Sequence, residues 1–292
     1  MTEPGAPRVH IRHFTDPGCP FAFTSERQRH RLLWLYGGQL HWELHMVGLH
    51  DRARRSDEAV RRQSGGQRRL HEEYGMPIDW RPRRYAQATI HACRAVVAVR
   101  LRWPEAEEDY LRELRVLTMA GAYLDDSDTL EIAAERAGLP LREVAAFAAE
   151  PEVQATLEED MAAARQPSRA ALAQEERLAG TPDEPRYTCP SYEIERLGPP
   201  ADSAPDIPRL DVPGFRPIEA YVAALANLAP DLERRDDPES PLDVLDWAPH
   251  PLATAEVAAV CARDIADVRL ELAAAGARFT PVGPDGYWSP PA

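Results

Sequence analysis

The stretch FTDPGCPFAFTSE, residues 14–26, places a cysteine where a strand is predicted to give way to a helix. The residues RVHIRHF, 8–14, mix β-branched and aromatic side chains, which predicts a short strand. A turn cluster, Thr15-Asp16-Pro17-Gly18, follows, and Pro20 suits the first position of a helix. Cys19 is therefore predicted at or next to the N-terminal cap of that helix.

A second strand is predicted after this helix. The segment QLHWELHMVGL, 39–49, alternates apolar and polar residues, as in a strand with one buried face. A strand, a helix and a strand within about 50 residues predict a βαβ unit with a right-handed crossover. Ten arginines then lie between residues 51 and 84, where they form a local basic patch in a polar, glycine-containing segment. From about 85 to 179 the periodicity is helical.

Strand-like sequence returns after this helical block. RYTCPSYEIERL, 186–197, is rich in β-forming residues, an edge strand is predicted at 209–212, and PIEAYVAALANLA, 217–229, is typical of a helix. Strands on both sides of a helical block predict one interrupted α/β domain. The tail begins with a charged, proline-rich linker and continues with two short helices and a hairpin around residues 284–287, which is the order of a winged-helix-like module.

Composition excludes several classes of function. The chain has 292 residues, a net charge of −14 and no lysine, which excludes a Schiff-base enzyme and a lysine-dependent phosphate loop. The acidic balance disfavours binding to nucleic acid or anionic lipid. The N-terminus lacks the pattern of a signal peptide, and an apolar run of membrane-spanning length is absent from the sequence, so a cytoplasmic protein without a membrane partner is expected.

The cysteines are scattered and lack CxxC spacing, which predicts thiols rather than a disulfide framework. Free N–H groups and the dipole at a helix N-terminus favour the thiolate of Cys19, whereas the alternative is a small buried residue in a turn. Ala22 stands where a second thiol of a CxxC motif would be. Cys93 and Cys261 lie on apolar helical stretches and are predicted to be core residues.

Three features resemble the DsbA-like branch of the thioredoxin superfamily, especially FrnE-like oxidoreductases: DPGCPF, the helical block, and TCP at 188–190. The same branch includes 2-hydroxychromene-2-carboxylate isomerases and kappa-class glutathione transferases. The resemblance covers about residues 8–229 and implies an α/β, thioredoxin-like fold with a large helical insertion. With the tail added, the expected parts are a thioredoxin-like domain (1–50 and 180–229), a helical insertion (51–179), a linker (230–241) and a small winged-helix-like module (242–292).

The resemblance also implies roles for individual residues. Cys19 matches the nucleophile, and Pro190 matches a cis-proline that lies against it. Cys189 would then face the helix N-terminus, near Cys19. Three alternatives stay open: the two thiols form a redox disulfide, they bind a soft metal such as Cu(I) or Zn with a nearby imidazole, or Cys189 only packs. His13 is the nearest candidate imidazole in sequence, and its alternative is a solvent-facing strand residue.

Substrate contacts are expected around the nucleophile. Pro20, Phe21 and Thr188 are neighbours of the matched positions. Arg54 and Arg55 belong to the basic patch, which would hold an acidic substrate or the carboxylates of a low-molecular-weight thiol cosubstrate. The alternative for these arginines is a solvated charged face.

The sequence leaves three functions open. The leading one is a cytoplasmic thiol-disulfide oxidoreductase or thiol-dependent reductase with a CPFA site, acting on a disulfide-containing protein or small molecule. A thiol-dependent transferase or isomerase acting on a small aromatic or unsaturated acid is the enzymatic alternative, and a redox- or metal-sensing regulator is the alternative from another class. The tail helix DIADVRLELAAAG is acidic, so the tail is expected to serve docking or homodimerisation rather than DNA binding.

Overall fold

The computed structural model describes residues 7–198 and 209–291, and these contain nine strands. The strands are β1 (Val9–Thr15), β2 (Leu40–Met46), β3 (Leu178–Gly180), β4 (Pro185–Tyr187), β5 (Ser191–Arg196), β6 (Arg209–Val212), β7 (Leu252–Ala253), β8 (Arg278–Val282) and β9 (Asp285–Ser289). They form a four-stranded sheet in the order β2-β1-β5-β6, a hairpin of β3 and β4, and a three-stranded sheet in the order β7-β9-β8.

Most of the remaining chain is helical. The α-helices of the described ranges are α1 (Pro20–Thr24), α2 (Glu26–Tyr36), α3 (Asp57–Tyr74), α4 (Ile90–Arg102), α5 (Glu107–Met119), α6 (Ser127–Arg136), α7 (Leu141–Phe147), α8 (Pro151–Ala164), α9 (Arg169–Leu172), α10 (Ile218–Leu228), α11 (Pro241–Trp247), α12 (Thr254–Cys261) and α13 (Ile265–Ala274).

The four-stranded sheet is mixed. β1 runs parallel to β2 and antiparallel to β5, which in turn pairs antiparallel with β6. The parallel pair joined through α2 is the predicted βαβ unit, and β6 is the predicted edge strand. Because the helical block enters between β2 and β5, the thioredoxin-like fold with a large helical insertion is confirmed, and a small sheet module follows it.

The helix predicted after Cys19 is interrupted at Ser25, where α1 ends and α2 begins. The hydroxyl of Thr24 donates to the carbonyl of Pro20 at 2.8 Å, and that of Ser25 donates to the carbonyl of Ala22 at 2.7 Å. Such hydroxyl-to-backbone bonds compete with regular helical bonding and bend helices. The expectation of one continuous helix was therefore wrong, because the segment forms two helices that meet at Ser25.

The arginine-rich segment contains an unpredicted helix, α3. Its N-cap is Ser56, whose side chain accepts from the backbone N–H of Ala59, and its C-cap is Gly75 in the left-handed conformation. The Gly65-Gly66 pair in its middle lowers the intrinsic helix propensity, which is why the sequence pattern did not indicate it. The caps and the packing of the buried Leu70 offset that penalty.

The C-terminal part shares one hydrophobic core with the central sheet. Side chains of α11, α12 and α13 pack in the same cluster as those of β1, α2 and α10. The segment predicted as a linker runs along α2: the indole of Trp34 donates to the Asp236 carbonyl at 2.8 Å, and the Arg235 guanidinium lies 3.6 Å from the centre of the same ring. The helix α11 was not predicted, and the hairpin turns at Gly283-Pro284, slightly earlier than expected.

Candidate active site

The loop between β1 and α1 is tied down by the fully buried carboxylate of Asp16. One oxygen accepts the backbone N–H of Gly18 at 2.8 Å. The other accepts the N–H of Leu49 at 2.8 Å, the hydroxyl of Thr89 at 2.9 Å and the thiol of Cys93 at 3.5 Å. These bonds join the loop to the end of β2 and to the start of α4, and they fix the backbone that precedes Cys19.

Gly18 is needed by this close packing. A Cβ atom added at Gly18 would lie 2.5 Å from Cγ2 of Thr89 and 3.3 Å from Oδ1 of Asp16. A side chain at position 18 would therefore push Thr89 away from the carboxylate that it bonds. The glycine before the cysteine is explained by this contact.

Cys19 is the N-cap of α1, as predicted, and its side chain is 6% exposed. Its sulfur faces the loop that carries Cys189 and Pro190, and the peptide bond between these two residues is cis. The Cys19 thiol donates to the carbonyl of Cys189 at 3.4 Å. The structure thus brings together two free thiols that are 170 positions apart.

The two sulfurs differ in acidity. The neighbouring Cys189 side chain lowers the pKa of Cys19 against the opposing effect of burial, and the backbone N–H groups of Ala22 and Phe21 lower it further, whereas Asp16 raises it. Burial and the neighbouring Cys19 sulfur raise the pKa of Cys189 well above its ordinary value. When the pair loses one proton, the negative charge therefore resides on Cys19, and Cys189 keeps its hydrogen as a donor.

Two cavities open beside Cys19, and Phe21 and Leu49 line both of them together with Cys19. One has a volume of about 320 Å³ and the other about 280 Å³. Arginines line each cavity: Arg177 and Arg186 on the Cys189 side, Arg54 and Arg62 on the side of α3. The nucleophile therefore lies between two small pockets, each with cationic groups for an anionic ligand.

The predicted substrate contacts are distributed as follows. Phe21 lines both cavities, Pro20 and Arg54 line the one next to α3, and Thr188 lines the one next to Cys189. Arg55 lines neither cavity. Its guanidinium instead lies over the ring of Tyr85, 5.2 Å from the ring centroid.

Sequence reasoning did not single out several other polar residues of these cavities, which are Gln63, Gln67, Gln87, Thr89, Glu176, Arg177 and Arg186, and it included Arg62 only as a member of the basic patch. Several of them lie on α3 or beside the β3–β4 hairpin, two elements that the sequence pattern did not indicate. The high number of arginines in the segment 51–84 indicated a site for an anionic ligand, but it does not show which guanidinium groups lie near Cys19.

His13 does not join the cysteine pair, and the expectation of a solvent-facing residue was also wrong. Its ring is 1% exposed, stacks on Tyr192 with centroids 4.5 Å apart, and lines a different cavity together with Arg29 and Arg115. Phe14, the next residue, packs in the cluster of Cys19. Successive side chains of a strand point to opposite faces, so β1 separates His13 from the thiols.

The soft-metal alternative thus lacks its predicted imidazole. Within residues 7–198 and 209–291, no group of three or more His, Cys, Asp or Glu side chains is arranged to hold a metal ion. The two other cysteines behave as predicted for core residues: burial raises the pKa of Cys93 well above its ordinary value and that of Cys261 to about 11.

The motif, the helix insertion and the position of the thiols agree with a sequence-family match. Residues 10–168 match the DSBA-like thioredoxin domain. The chain belongs to this family. No curated protein sequence matches this DSBA-like chain. In the described part of the chain, none of the helices has both the length and the apolar character needed to cross a membrane.

Solved structures share the DSBA-like fold at low identity. A candidate protein disulfide isomerase from Nitrosomonas europaea is 17% identical with a TM-score of 0.57, over 75% of this chain and 96% of that one. A probable DsbA oxidoreductase from Streptomyces coelicolor is 18% identical with a TM-score of 0.53, over 76% and 91%. The cytosolic disulfide reductase DsbM from Pseudomonas aeruginosa is 14% identical with a TM-score of 0.51, over 75% and 100%.

Proposed function

We propose that this DSBA-like chain is a thiol-disulfide oxidoreductase in which Cys19 is the nucleophile and Cys189 the resolving thiol. One observation carries the proposal: the free thiol of Cys19, at a helix N-terminus, donates to the carbonyl of Cys189 in the loop before Pro190, and the pKa values of the two thiols are shifted in opposite directions. Cys189 would take the part that a second cysteine at Ala22 would have in a CxxC site.

The reaction would proceed in two exchanges. The Cys19 thiolate attacks one sulfur of a substrate disulfide, the S–S bond breaks, and the other sulfur leaves as a thiolate that takes a proton from water. Cys189 then loses its proton and attacks the Cys19 sulfur, which forms the Cys19–Cys189 disulfide and releases the second substrate thiolate. The substrate gains two electrons and two protons, and the cysteine pair loses them.

The pair must be reduced for another cycle. We propose that two molecules of a low-molecular-weight thiol do this: the first forms a mixed disulfide and the second releases it, and together they become a disulfide. The two cavities beside Cys19, with volumes near 300 Å³ and arginines on each side, favour a small thiol or disulfide that carries carboxylates. Pro20, Phe21, Thr188 and Pro190 would frame it. A reducing compartment such as the cytoplasm fits four free cysteines.

The test is mass spectrometry of the intact protein after mild oxidation, followed by peptide mapping under non-reducing conditions. The wild type should lose two hydrogens and yield a Cys19–Cys189 linked peptide. Cys189→Ser should instead accumulate a mixed disulfide on Cys19 when a small disulfide is added. Cys261→Ser, which changes a buried cysteine far from the pair in sequence, is the matched control and should behave as the wild type. An unlinked Cys19 and Cys189 after complete oxidation of both would refute the proposal.

A thiol-dependent transferase or isomerase is the second candidate. It is favoured by one observation: Ala22 is fully buried where a CxxC site would have its second thiol, while the cavities beside Cys19 have the size of a small molecule. In that reaction the sulfur would add to an unsaturated acid and leave again, with no net electron transfer. Turnover that persists in Cys189→Ser, without consumption of any disulfide, would favour this candidate over the first.

A further inference from the structure

A third cavity with polar lining lies on the opposite side of β1 from the thiols. Its volume is about 310 Å³, and its lining includes His13, residues of α2 and α5, and Trp247, Pro249 and His250 at and after the end of α11. It shares no lining residue with the two cavities beside Cys19. It is therefore a separate site, which the thiol chemistry does not use.

The fixed charges of its wall are largely neutralised by each other. Arg115 is bonded to Glu26, Arg29 is bonded to Glu108, and Arg112 makes a bidentate pair with Glu256 at 2.8 Å for each bond. These carboxylates are engaged by guanidinium groups and do not remain as ligands for a cation. Apart from the exposed Asp109, the groups left to bind a ligand are N–H donors and imidazoles.

Several buried nitrogens in this wall have no hydrogen-bond partner within the described chain. They are both ring nitrogens of His13, Nε of Arg29, Nε of Arg115 and Nδ1 of His250, whereas Nδ1 of His30 lies 3.4 Å from Oε1 of Glu256. Leaving buried polar groups without partners costs free energy, and native proteins satisfy the great majority of them. Guanidinium nitrogens only donate, and each neutral imidazole has one donor, so the set calls for an occupant rich in acceptors.

The rest of the wall is apolar. Leu33, Leu44, Leu111, Trp247 and Pro249 line the cavity together with the polar groups, whereas Glu108 and Asp109 are exposed to solvent. The volume is at the lower end of that of small-molecule sites, which combine apolar walls with a few polar groups. Such a wall suits a hydrocarbon body better than bare phosphate or sulfate.

We propose that this cavity binds a small organic carboxylate. The carboxylate oxygens accept from Nε of Arg29, Nε of Arg115 and the ring of His13, and the hydrocarbon body packs against Leu33 and Trp247. The guanidinium groups of Arg115 and Arg29 lie close enough to His13 to be, after burial, the largest causes that lower its pKa.

The test is isothermal titration calorimetry of the full chain with benzoate as the probe, beside two related molecules. Benzyl alcohol has the same ring without the charge, and inorganic phosphate has the charge without the ring. We expect saturable one-to-one binding of benzoate only. Leu33→Trp, which fills the cavity and removes no polar group, and His13→Phe, which removes the ring nitrogens, should each weaken benzoate binding by about tenfold or more.

Leu101→Trp is the matched control, because Leu101 is exposed on α4 and does not line the cavity; it should bind benzoate as the wild type does. The rate of Cys19 alkylation by iodoacetamide, measured on each variant, reports that the fold and the thiol site are intact. Absence of benzoate binding to the wild type, equal binding to Leu33→Trp and His13→Phe, or binding of phosphate or benzyl alcohol in its place would overturn the proposal.

Discussion

Strand β1 separates two buried polar regions that hold their charges differently. On the side of Phe14, next to Cys19, the described contacts of Asp16 are all with neutral donors: backbone N–H groups, a hydroxyl and a thiol. On the side of His13, buried charges meet opposite charges, as in Arg112 with Glu256 and Arg115 with Glu26.

The difference has consequences for chemistry. Neutral donors stabilise the Asp16 carboxylate but leave its field in place, so it still raises the pKa of both nearby cysteines. Ion pairs cancel most of their own field and are expensive to break when buried. The first region can therefore tune a reactive sulfur, whereas the second fixes α2, α5 and α12 against one another.

The largest expected effect is in the second region. Glu256→Gln removes a fully buried charge and leaves Arg112 buried with a neutral partner. We expect a loss of about 3–5 kcal/mol in the free energy of unfolding, measured by urea titration. Glu271→Gln is the matched control, because its pair with Arg263 is about 40% exposed on both sides and should contribute less than about 1 kcal/mol. Equal losses would contradict the distinction between the two kinds of charge.

The imidazoles of the second region should make the protein sensitive to acid. Burial, together with Arg115 and Arg29, lowers the pKa of His13 well below 6.5. Below pH 6.5 the unfolded chain takes up a proton that the folded chain does not accept. The contribution of His13 to stability is thus lost as pH falls, by up to about 1.4 kcal/mol per pH unit. The measurement is the difference in unfolding free energy between the wild type and His13→Phe from pH 8 to pH 5.

The difference between the two proteins is needed because other groups, His45 and Glu107, also make the stability depend on pH. Although burial opposes its charged form, hydrogen bonds to Asp160 and Glu43 raise the pKa of His45 to about 9, so its stabilising effect is complete below pH 6.5 and is lost as pH rises toward 9. Burial raises the pKa of Glu107 to about 8, so its ionised form destabilises the fold above pH 8 and this penalty decreases as pH falls below 8. A difference curve with no slope below pH 6.5 would contradict the buried, neutral state of His13.

The sequence predicted the region of Cys19 better than the region of His13. The first is built from a local signal, a strand, a turn cluster and a proline at the start of a helix, and these fix where Cys19 lies whatever the rest of the chain does. Cys189 was placed near it through the family resemblance, not through local pattern. The structure agrees with that placement.

The second region depends on contacts between distant segments, which no local pattern contains. His13 belongs to a strand that alternates in burial, but only the packing of α5 and residues 247–250 over it decides that its side of the strand is buried. Arg112 and Glu256 are 144 positions apart, and in sequence each is an ordinary charge on a helix. The helix α3 was missed for a different reason: two glycines in its middle lower the helix propensity of the segment, although both of its ends are well capped.

In the first region, Asp16→Asn tests the field of the carboxylate. In either orientation its amide nitrogen would face a donor that now bonds to a carboxylate oxygen, so stability should fall by about 1–3 kcal/mol. The pKa of Cys19 should nevertheless fall, because the charge that raises it is gone. The pH dependence of Cys19 alkylation by iodoacetamide measures this, with Asp125→Asn as control. A midpoint that moves to higher pH would show that the loop geometry, not the charge, controls the thiol.

The smallest expected effect isolates the packing under Cys19 from its electrostatics. Gly18→Ala adds a Cβ that would meet Cγ2 of Thr89 at 2.5 Å, and we expect a loss of about 1–2 kcal/mol, since overpacking forces neighbours to shift. Thr89→Ser removes that methyl group and keeps the hydroxyl that donates to Asp16.

The double variant Gly18→Ala, Thr89→Ser should therefore regain most of the stability that Gly18→Ala loses, and the two changes should not be additive. Iodoacetamide should also alkylate Cys19 of the double variant at the wild-type rate, because the Asp16 carboxylate keeps its donors and its charge. Strict additivity of the two stability losses would mean that the glycine serves the backbone conformation of the turn. In that case the contact with Thr89 would not be the reason for a glycine at position 18. Other variants would then be needed to separate the packing of the loop from its effect on the pKa of Cys19.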